Sequence, residues 1–279
     1  MTPTLADALA QARSAGLDRL DAQILLLHAL GRPPHDRAWL ITHDSDPLPE
    51  AVQPVWAALL ARRLAGEPAA YLLGRKEFFG LDLQVDARVL VPRPDTETLV
   101  NWALDVLARF PAARRVIDLG TGSGAIALAI ASRIPGLDIT ATDASTDALA
   151  VAQANAQALG LPVRFAAGPW LAAVAGERFD LILSNPPYIA DGDPHLPALS
   201  HEPGSALVSG PDGLDDIRAI VSQSTHALAP GGWLLLEHGY NQAPQVRQLL
   251  AEAGFTQVGS RTDLAGIERC AGAQWTERR

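Results

Sequence analysis

The residues Asn185–Tyr188 combine an amide, two prolines and an aromatic ring directly after an apolar segment. The prolines fix φ and remove two backbone donors, so the turn presents carbonyls and the Asn side chain without competing N–H groups. The Asn185 side-chain oxygen and the Pro186 carbonyl could each hold one hydrogen of a planar –NH2 group. Pro187 stiffens the turn, and the ring of Tyr188 offers a stacking face. An ordinary proline turn after a strand is the alternative.

A glycine-rich segment is the second arrangement with chemical meaning. Gly120, Gly122 and Gly124 occupy alternate positions within Val116–Ala127, where the backbone must turn tightly and approach a ligand closely. With Ala125 in the third place, the same spacing also fits the dinucleotide-binding pattern. The segment alone therefore does not identify the nucleotide, and a tight turn without a ligand is the plain structural alternative.

Two carboxylates flank the glycine segment. Asp118 lies two positions before Gly120, where it could meet a ligand ammonium directly or through water. Asp143 follows Gly120 by 23 positions and could accept both hydroxyls of a ribose. Capping of the next helix is the alternative role for Asp143. The segment and its two carboxylates together indicate an adenosyl nucleotide.

An adenosyl ligand beside a turn that holds a planar –NH2 group predicts methyl transfer from S-adenosylmethionine to that nitrogen. An amide nitrogen delocalises its lone pair into the carbonyl and is a poor nucleophile. Two fixed acceptors would draw it toward tetrahedral geometry and aim the lone pair at the methyl group, and such positioning can supply roughly 7–11 kcal/mol of a barrier. Acceptors also stabilise the positive charge that develops on nitrogen. No general base is required beforehand, because the proton becomes acidic only as the N–C bond forms.

The elements that must position these residues alternate between strand and helix from Arg115 onward. Such repeats predict a mostly parallel α/β sheet, with ligands at the carboxyl ends of its strands. The predicted strands are Arg115–Leu119, Asp138–Thr142, Val163–Ala166, Asp180–Ser184, Trp233–Glu237, Thr256–Gly259 and Ala271–Trp275. The predicted helices are Thr96–Phe110 with Asp95 as N-cap, Ala125–Arg133, Thr146–Leu159, Asp215–Leu228 and Gln245–Ala253.

The first 80 or so residues predict a small helical bundle instead. One helix is expected between a Thr4 N-cap and Gly16, a second over Leu20–Leu30, and a third over Glu50–Leu64. Residues 77–86 alternate around a glycine and predict a β-hairpin. We therefore expect a helical substrate-recognition domain over residues 1–72, a hairpin linker over 73–91 and a catalytic domain over 92–279.

Composition narrows the class of protein. The 279 residues carry a formal net charge of −9, which lowers the expectation of a duplex-binding enzyme and favours a basic protein partner. The single cysteine, Cys270, excludes an intramolecular disulfide framework and a zinc site built on cysteines. The longest apolar runs, such as Gln23–Leu30, are too short to cross a bilayer, and no signal peptide is visible. A cytoplasmic protein is expected.

The chain resembles the HemK/PrmC family of release-factor glutamine methyltransferases over nearly its whole length. Matching segments are Gly66–Phe78, Val91–Glu97, Asp118–Gly124, Asn185–Tyr188 and Leu236–Gly239. The tetrapeptide is shared with adenine and cytosine amino-methyltransferases, whereas Val91–Glu97 is much more specific to the protein-glutamine branch. Val91 departs slightly from the family, in which Ile or Leu is commoner. The resemblance implies a Rossmann-like class I methyltransferase sheet that modifies the glutamine in the Gly-Gly-Gln loop of class-one peptide chain release factors.

The resemblance also implies a role for each site residue. The methionine end of S-adenosyl-L-methionine would lie on the loop formed by Gly120, Thr121, Gly122, Ser123 and Gly124, and Asp118 would also bind the cofactor. Asp143 would hold the ribose, and Trp170 would lie beside the adenine unless it is a core residue of the sheet edge. Asn185 would contact both cofactor and substrate amide, and Pro186, Pro187 and Tyr188 would complete the clamp on the glutamine.

Some residues remain unassigned, and other functions remain open. Arg93 and Glu97 could line the cofactor entrance or pair with each other, and Glu237 or His238 could be taken for a base. The seven histidines show no metal-ligand spacing.

Alternative functions are glutamine methylation of a ribosomal protein, adenine methylation of DNA or RNA, a dehydrogenase resting on the glycine loop alone, and a non-catalytic adapter.

Overall fold

A computed structural model describes residues 2–276 of the protein. They divide into two compact units, the first ending at Arg75 and the second beginning at Lys76. Within residues 2–276, no helix has both the length and the apolar character needed to cross a membrane.

The first unit is built from short helices around an apolar core. They are α1 (Leu5–Ser14), α2 (Arg19–Ala29), α3 (Arg37–Thr42), α4 (Gln53–Leu64) and α5 (Ala69–Leu73). As predicted, Thr4 caps α1: its hydroxyl accepts the N–H of Asp7 at 3.1 Å, and the Asp7 carboxylate accepts the N–H of Thr4 at 2.8 Å. The first two predicted helices are confirmed, and the consecutive leucines Leu25–Leu27 of α2 are fully buried.

The rest of this unit differs from the prediction. Helix α4 begins at Gln53 rather than Glu50, and Pro54 lies in its first turn, where a missing N–H costs nothing. Helices α3 and α5 were not predicted, because six and five residues are too few for a helical repeat to show in the sequence.

The predicted hairpin is confirmed as β1 (Arg75–Phe78) and β2 (Leu81–Gln84). Phe79 and Gly80 connect the strands, both with positive φ (53° and 82°), as a two-residue hairpin turn of the primed type requires. The backbone of Gln84 exchanges two hydrogen bonds with the side chain of Asn155, at 2.7 and 3.0 Å. The second strand is thus fastened to the unit that contains the sheet, and the assignment of residues 73–91 to a separate linker stays a prediction.

A seven-stranded sheet forms the centre of the second unit. In chain order its strands are β3 (Arg115–Leu119), β4 (Asp138–Asp143), β5 (Arg164–Ala167), β6 (Phe179–Ser184), β7 (Leu228–Glu237), β8 (Thr256–Thr262) and β9 (Glu268–Gln274). Its helices are α6 (Glu97–Arg109), α7 (Ala125–Arg133), α8 (Thr146–Leu159), α9 (Asp215–Ala227) and α10 (Ala243–Glu252). The strand order is β5-β4-β3-β6-β7-β9-β8, with only β9 antiparallel to its neighbours. The predicted mostly parallel α/β sheet is confirmed.

The order of the strands determines where a ligand can bind. From β3 the chain moves outward through β4 to β5 and then returns to β6 on the other side of β3. The carboxyl ends of β3 and β6 therefore flank a topological switch point, where α/β sheets bind ligands. Leu119 at the end of β3 pairs with Ser184 at the end of β6, and the Ser184 hydroxyl donates to the Leu119 carbonyl at 2.7 Å. The turns after these two residues consequently start side by side.

Several boundaries in the second unit were predicted wrongly. Strand β8 ends at Thr262 rather than Gly259, and β9 spans Glu268–Gln274 rather than Ala271–Trp275. Asp95 does not cap the helix after it: Pro94–Thr96 form a 3-10 turn, Thr96 is the N-cap position of α6, and the Asp95 carboxylate lies 3.1 Å from the Arg269 guanidinium. Strand β7 begins at Leu228 rather than Trp233, because Leu228 pairs with Phe179 ahead of a register shift. A sequence rich in proline and glycine just before Trp233 concealed that pairing.

Candidate active site

A cavity of about 350 Å³ opens at the carboxyl ends of β3, β4 and β6. This volume is within the range of small-molecule sites. The residues that line it and that the sequence analysis singled out are Arg93, Gly120, Thr121, Gly122, Ser123, Asp143, Trp170, Asn185 and Pro187. Most of the predicted cofactor-binding residues thus lie around one cavity.

The glycine segment forms one wall through its backbone. Gly120, Gly122 and Gly124 all have positive φ, at 68°, 56° and 85°, which L side chains rarely adopt. A Cβ atom on Gly120 would lie 3.0 Å from the Trp170 ring, so a side chain there would push the ring away. Helix α7 begins directly after Gly124, and its amino-terminal N–H groups face the turn.

Asp118 lies behind this wall and does not line the cavity. It is fully buried, and its Oδ2 accepts hydrogen bonds from the Thr121 hydroxyl at 2.6 Å and the Ala127 N–H at 3.3 Å. Its Oδ1 has no partner among the described residues. Burial raises the pKa of Asp118 to about 7, although the hydrogen bonds from Thr121 and Ala127 lower it. The carboxyl holds the loop in shape, and its role toward a ligand ammonium stays a prediction.

Asp143 lines the cavity at the end of β4. Its Oδ2 accepts the N–H of Gly122 at 2.9 Å, and its Oδ1 accepts the N–H of Ser145 at 2.9 Å. Each carboxylate oxygen keeps a lone pair for another donor, so Asp143 can still accept hydrogen bonds from both hydroxyls of a ribose. The alternative role as a helix cap is wrong, because the cap of α8 is the Ser145 hydroxyl, which accepts the N–H of Ala148 at 3.1 Å.

Trp170 lies at the edge of the same cavity. It begins a 3-10 turn after β5 with a positive φ of 47°. The Thr142 hydroxyl donates to its carbonyl at 3.3 Å, which fastens this turn to β4. The indole ring is only partly buried, so it is available as a flat surface within the cavity, although it also packs against the core on that face of the sheet.

The tetrapeptide directly after β6 forms the opposite wall. Asn185 and Pro187 line the cavity, Pro186 is buried beside them, and the Asn185 Nδ2 donates to the Thr96 hydroxyl at 3.2 Å. This hydrogen bond leaves the side-chain oxygen of Asn185 as the acceptor for a ligand. Tyr188 is not among the residues that line this cavity; it lines a second cavity, of about 510 Å³.

The backbone around Tyr188 is fixed from two directions. The Gln242 amide donates to the Tyr188 carbonyl at 3.0 Å, and Ile189 pairs with the strand-like segment at Val208. A Cβ atom on Gly213 would lie 2.3 Å from the same carbonyl, so the glycine allows this close approach. Burial and the neighbouring Glu237 carboxyl raise the pKa of the Tyr188 phenol. Tyr188 therefore acts as a neutral hydroxyl and ring.

The unassigned residues of the sequence analysis have definite places. Arg93 lines the cavity and forms an ion pair with Glu202, while Glu97 accepts the N–H of Phe79 at 3.1 Å, so these two do not pair with each other. The buried His238 ring bonds the Gly239 carbonyl through Nδ1 at 2.9 Å, and burial lowers its pKa.

Two residues at the site had no assigned role in the sequence. Thr96 contacts Asn185 from a position 89 residues earlier, and Glu202 binds both Arg93 and the N–H of Val91, more than 100 residues away. Thr96 lies in the segment Val91–Glu97 that carries part of the family resemblance, and Glu202 lies in a polar segment with no assigned role. No other signal in the sequence pointed to either residue.

Comparison with known proteins gives the family. Residues 98–201 match the Methyltransferase small domain, and residues 4–74 match the PrmC N-terminal domain. The release factor glutamine methyltransferase of Bordetella pertussis is 52% identical over 260 residues, which cover 92% of this chain and 95% of that protein. Its counterpart in Xylella fastidiosa is 51% identical over 265 residues, or 94% and 95% of the two chains. This chain belongs to the release factor glutamine methyltransferases.

Solved structures agree with that membership at the level of the fold. The 16S rRNA N2 G1207 methyltransferase of T. thermophilus, solved with AdoMet and guanosine, has a TM-score of 0.53 and 20% identity, covering 72% of this chain and 49% of that one. The family resemblance inferred from the sequence motifs is confirmed. The cavity between the glycine segment and the tetrapeptide is accordingly the candidate active site of this methyltransferase.

Proposed function

We propose that this methyltransferase transfers a methyl group from S-adenosylmethionine to the side-chain amide nitrogen of the glutamine in the Gly-Gly-Gln loop of class-one peptide chain release factors. The observation that supports this most is the orientation of Asn185. Its Nδ2 is engaged by Thr96, so its oxygen is the acceptor offered at a cavity whose other wall is the glycine segment.

S-adenosylmethionine is the cofactor of this family, and the cavity fits it. Gly120, Thr121, Gly122 and Ser123 line the cavity, where their backbone would permit the close approach of the methionine end, whereas Gly124 lies outside the lining. A Cβ on Gly120 would press on Trp170, at 3.0 Å. Asp143 retains acceptor capacity for the ribose, and Trp170 provides a flat partner for the adenine. Asp118 lies behind the loop, where its buried charge would be favoured by a nearby ammonium. The bound cofactor supplies an electrophilic methyl group.

The chain's own residues would make the amide reactive by holding it. The Asn185 oxygen accepts one hydrogen of the carboxamide, and the Pro186 carbonyl accepts the other. With both hydrogens held, the nitrogen lone pair is directed at the methyl group, which is positioning catalysis. Both acceptors also stabilise the positive charge that grows on nitrogen. Tyr188 is not among the residues that line this cavity, so stacking of its ring on the carboxamide stays a prediction, and its raised pKa keeps the phenol neutral.

The protein partner would be recognised outside this cavity. The net charge of −9 favours a basic surface on the release factor by long-range steering. We assign recognition to the helical unit before Arg75. Deletion of residues 1–75 should then weaken release-factor binding far more than cofactor binding, and equal losses in both would contradict the assignment.

The decisive experiment is a methylation assay on purified release factor, wild type against Gln→Ala in its Gly-Gly-Gln loop. Tryptic peptides analysed by mass spectrometry should carry one added methyl on the glutamine of the wild-type loop and none on the variant. Intact ribosomes assayed in parallel should remain unlabelled. Label confined to a ribosomal protein, or retained by the Gln→Ala release factor, would show that the proposed substrate is wrong.

A further inference from the structure

The segment Val91–Glu97 is one of the segments that carry the family resemblance, yet the proposed reaction gives its threonine no task. Thr96 occupies the N-cap position of α6, where a threonine hydroxyl usually accepts a backbone N–H of the first turn. Here it makes no such bond. The residue is only 4% exposed, so its hydroxyl must find other partners.

Those partners belong to the active site. Thr96 lines the same cavity as Asn185, and its oxygen accepts the Asn185 Nδ2 hydrogen at 3.2 Å. An asparagine amide is almost symmetric in shape, so packing alone does not decide which end faces a ligand. If the amide were turned over, its –NH2 would face the –NH2 of the substrate, and two donors would oppose each other.

A buried carboxyl determines which way the threonine hydroxyl points. Glu237, at the end of β7, is 1% exposed, and its Oε2 has no partner among the described residues. The side chains of Thr96 and Tyr188 both act on this carboxyl as hydrogen-bonding groups and lower its pKa, while burial raises the pKa to about 7. Above about pH 7 the Glu237 carboxyl is ionised and can only accept, so the Thr96 hydroxyl hydrogen is directed to it and the Thr96 oxygen is left to accept from Asn185.

We propose that Thr96 is a positioning residue for methyl transfer: it accepts the Asn185 Nδ2 hydrogen and so fixes the Asn185 oxygen toward the substrate amide. The role in catalysis rests on the proposed function, whereas the orientation of Asn185 does not. The Tyr188 side chain also lowers the pKa of the Glu237 carboxyl, so this carboxyl is coupled electrostatically to the tetrapeptide as well as to Thr96.

The kinetic test compares Thr96→Val, which keeps the shape and removes the hydroxyl, with Thr96→Ser, which keeps the hydroxyl. We expect Thr96→Val to lower kcat for release factor about 10- to 100-fold, as for the loss of a buried hydrogen-bond partner. The KM for release factor and the Kd for S-adenosylhomocysteine should stay within about twofold, and Thr96→Ser should retain most of the rate. Thr140→Val is the matched control, because Thr140 is a buried threonine in the half of β4 remote from the site, where its hydroxyl accepts from Arg164.

A second measurement needs no substrate. The chain has four asparagines, so NMR with ¹⁵N-asparagine can follow the Asn185 side-chain amide individually. Its hydrogens should exchange with water at least tenfold faster in Thr96→Val than in wild type. Those of Asn155, which donates to Gln84 and Ser123, should be unchanged and serve as the internal reference.

The outcomes separate the two proposals. Wild-type kcat in Thr96→Val, an equal defect in Thr96→Ser, or unchanged Asn185 exchange would overturn the positioning role. If wild-type protein leaves the release factor unmethylated, the proposed function fails instead, and the exchange of Asn185 alone decides whether Thr96 orients it.

Discussion

The turns after β3 and β6 start side by side, yet they offer a ligand opposite kinds of surface. The glycine segment presents bare backbone in conformations that side chains avoid. The tetrapeptide has lost two backbone donors to proline and presents one side-chain amide and carbonyls. On the proposed function, the first surface would bind part of any adenosyl cofactor, whereas the second would select the group that reacts. Their signals in the sequence differ accordingly: the glycine pattern was ambiguous, and the tetrapeptide selected the chemistry.

The two turns also rest on buried carboxyls in different ways. Asp118 bonds within its own turn, to Thr121 and Ala127, while Glu237 acts on Thr96 and Tyr188, which belong to two other segments. The first carboxyl therefore shapes a local loop, and the second couples distant parts of the site. Changes at the glycine segment should consequently alter cofactor affinity, and changes at the tetrapeptide should alter turnover.

Removal of the tetrapeptide's amide should give the largest effect. Asn185→Ala takes away an acceptor that is needed most in the transition state, and we expect kcat to fall on the order of 1000-fold. The Kd for S-adenosylhomocysteine, measured by calorimetry, should change less than about fivefold. Asn101→Ala, an exposed position on α6, is the control and should behave as wild type. If Asn185→Ala weakens the binding of S-adenosylhomocysteine by as large a factor as it lowers kcat, the tetrapeptide affects cofactor affinity as well, and the proposed difference between the two turns is wrong.

The buried carboxyl of the glycine turn should make stability depend on pH. Its pKa is raised from 3.8 to about 7, so between these values the folded protein binds more protons than the unfolded chain. The free energy of unfolding therefore falls as pH rises through this range, and the cost is complete above pH 7. At about 1.4 kcal/mol per pKa unit, Asp118→Asn should stabilise the protein by up to roughly 4 kcal/mol at pH 8 and by almost nothing near pH 4.

Urea unfolding of wild type and Asp118→Asn across that range measures the prediction. Glu237→Gln should show the same trend, since burial raises the pKa of Glu237 to about 7 as well. If the difference in unfolding free energy between wild type and variant is the same at every pH, ionisation of these carboxyls does not destabilise the folded protein, and the prediction is wrong.

The sequence predicted this sheet well wherever the signal was local. The bounds of β3, α7 and α8 agree with the prediction to the residue, because an apolar strand, a glycine turn and a cap next to the helix each leave a pattern within a few positions. The contact between Thr96 and Asn185 leaves none, because its partners lie 89 residues apart and only the sheet order brings them together. The same holds for Glu202 and Arg93. Which residues face the cavity was therefore largely predictable, but what holds them was not.

A side chain on the glycine turn should weaken cofactor binding without slowing the bound enzyme. Gly120→Ala places a Cβ atom 3.0 Å from Trp170 at a φ of +68°, and we expect the Kd for S-adenosylhomocysteine to rise about 10- to 100-fold. Gly136→Ala is a matched control, because φ is +87° there and nothing lies within 4 Å of the added atom. Both variants should lose about 1–2 kcal/mol of stability from the strained backbone, and only Gly120→Ala should lose affinity. A similar Kd for both would mean that Trp170 does not contribute to the cofactor site.

The smallest effects should separate two neighbours at the end of β4. Asp143→Asn leaves one acceptor oxygen where the carboxylate has two, and both are already engaged by N–H groups of Gly122 and Ser145. We expect the Kd for S-adenosylhomocysteine to rise about tenfold, the value of roughly one charged hydrogen bond. Ser145→Ala removes the cap of α8 instead, so it should cost about 1 kcal/mol of stability, and although Ser145 lines the same cavity, its Kd should change less than that of Asp143→Asn. Calorimetry and thermal unfolding of both variants measure this contrast. If Asp143→Asn proves to be the variant that loses only stability, the carboxylate supports the turn and the ribose is held by other residues.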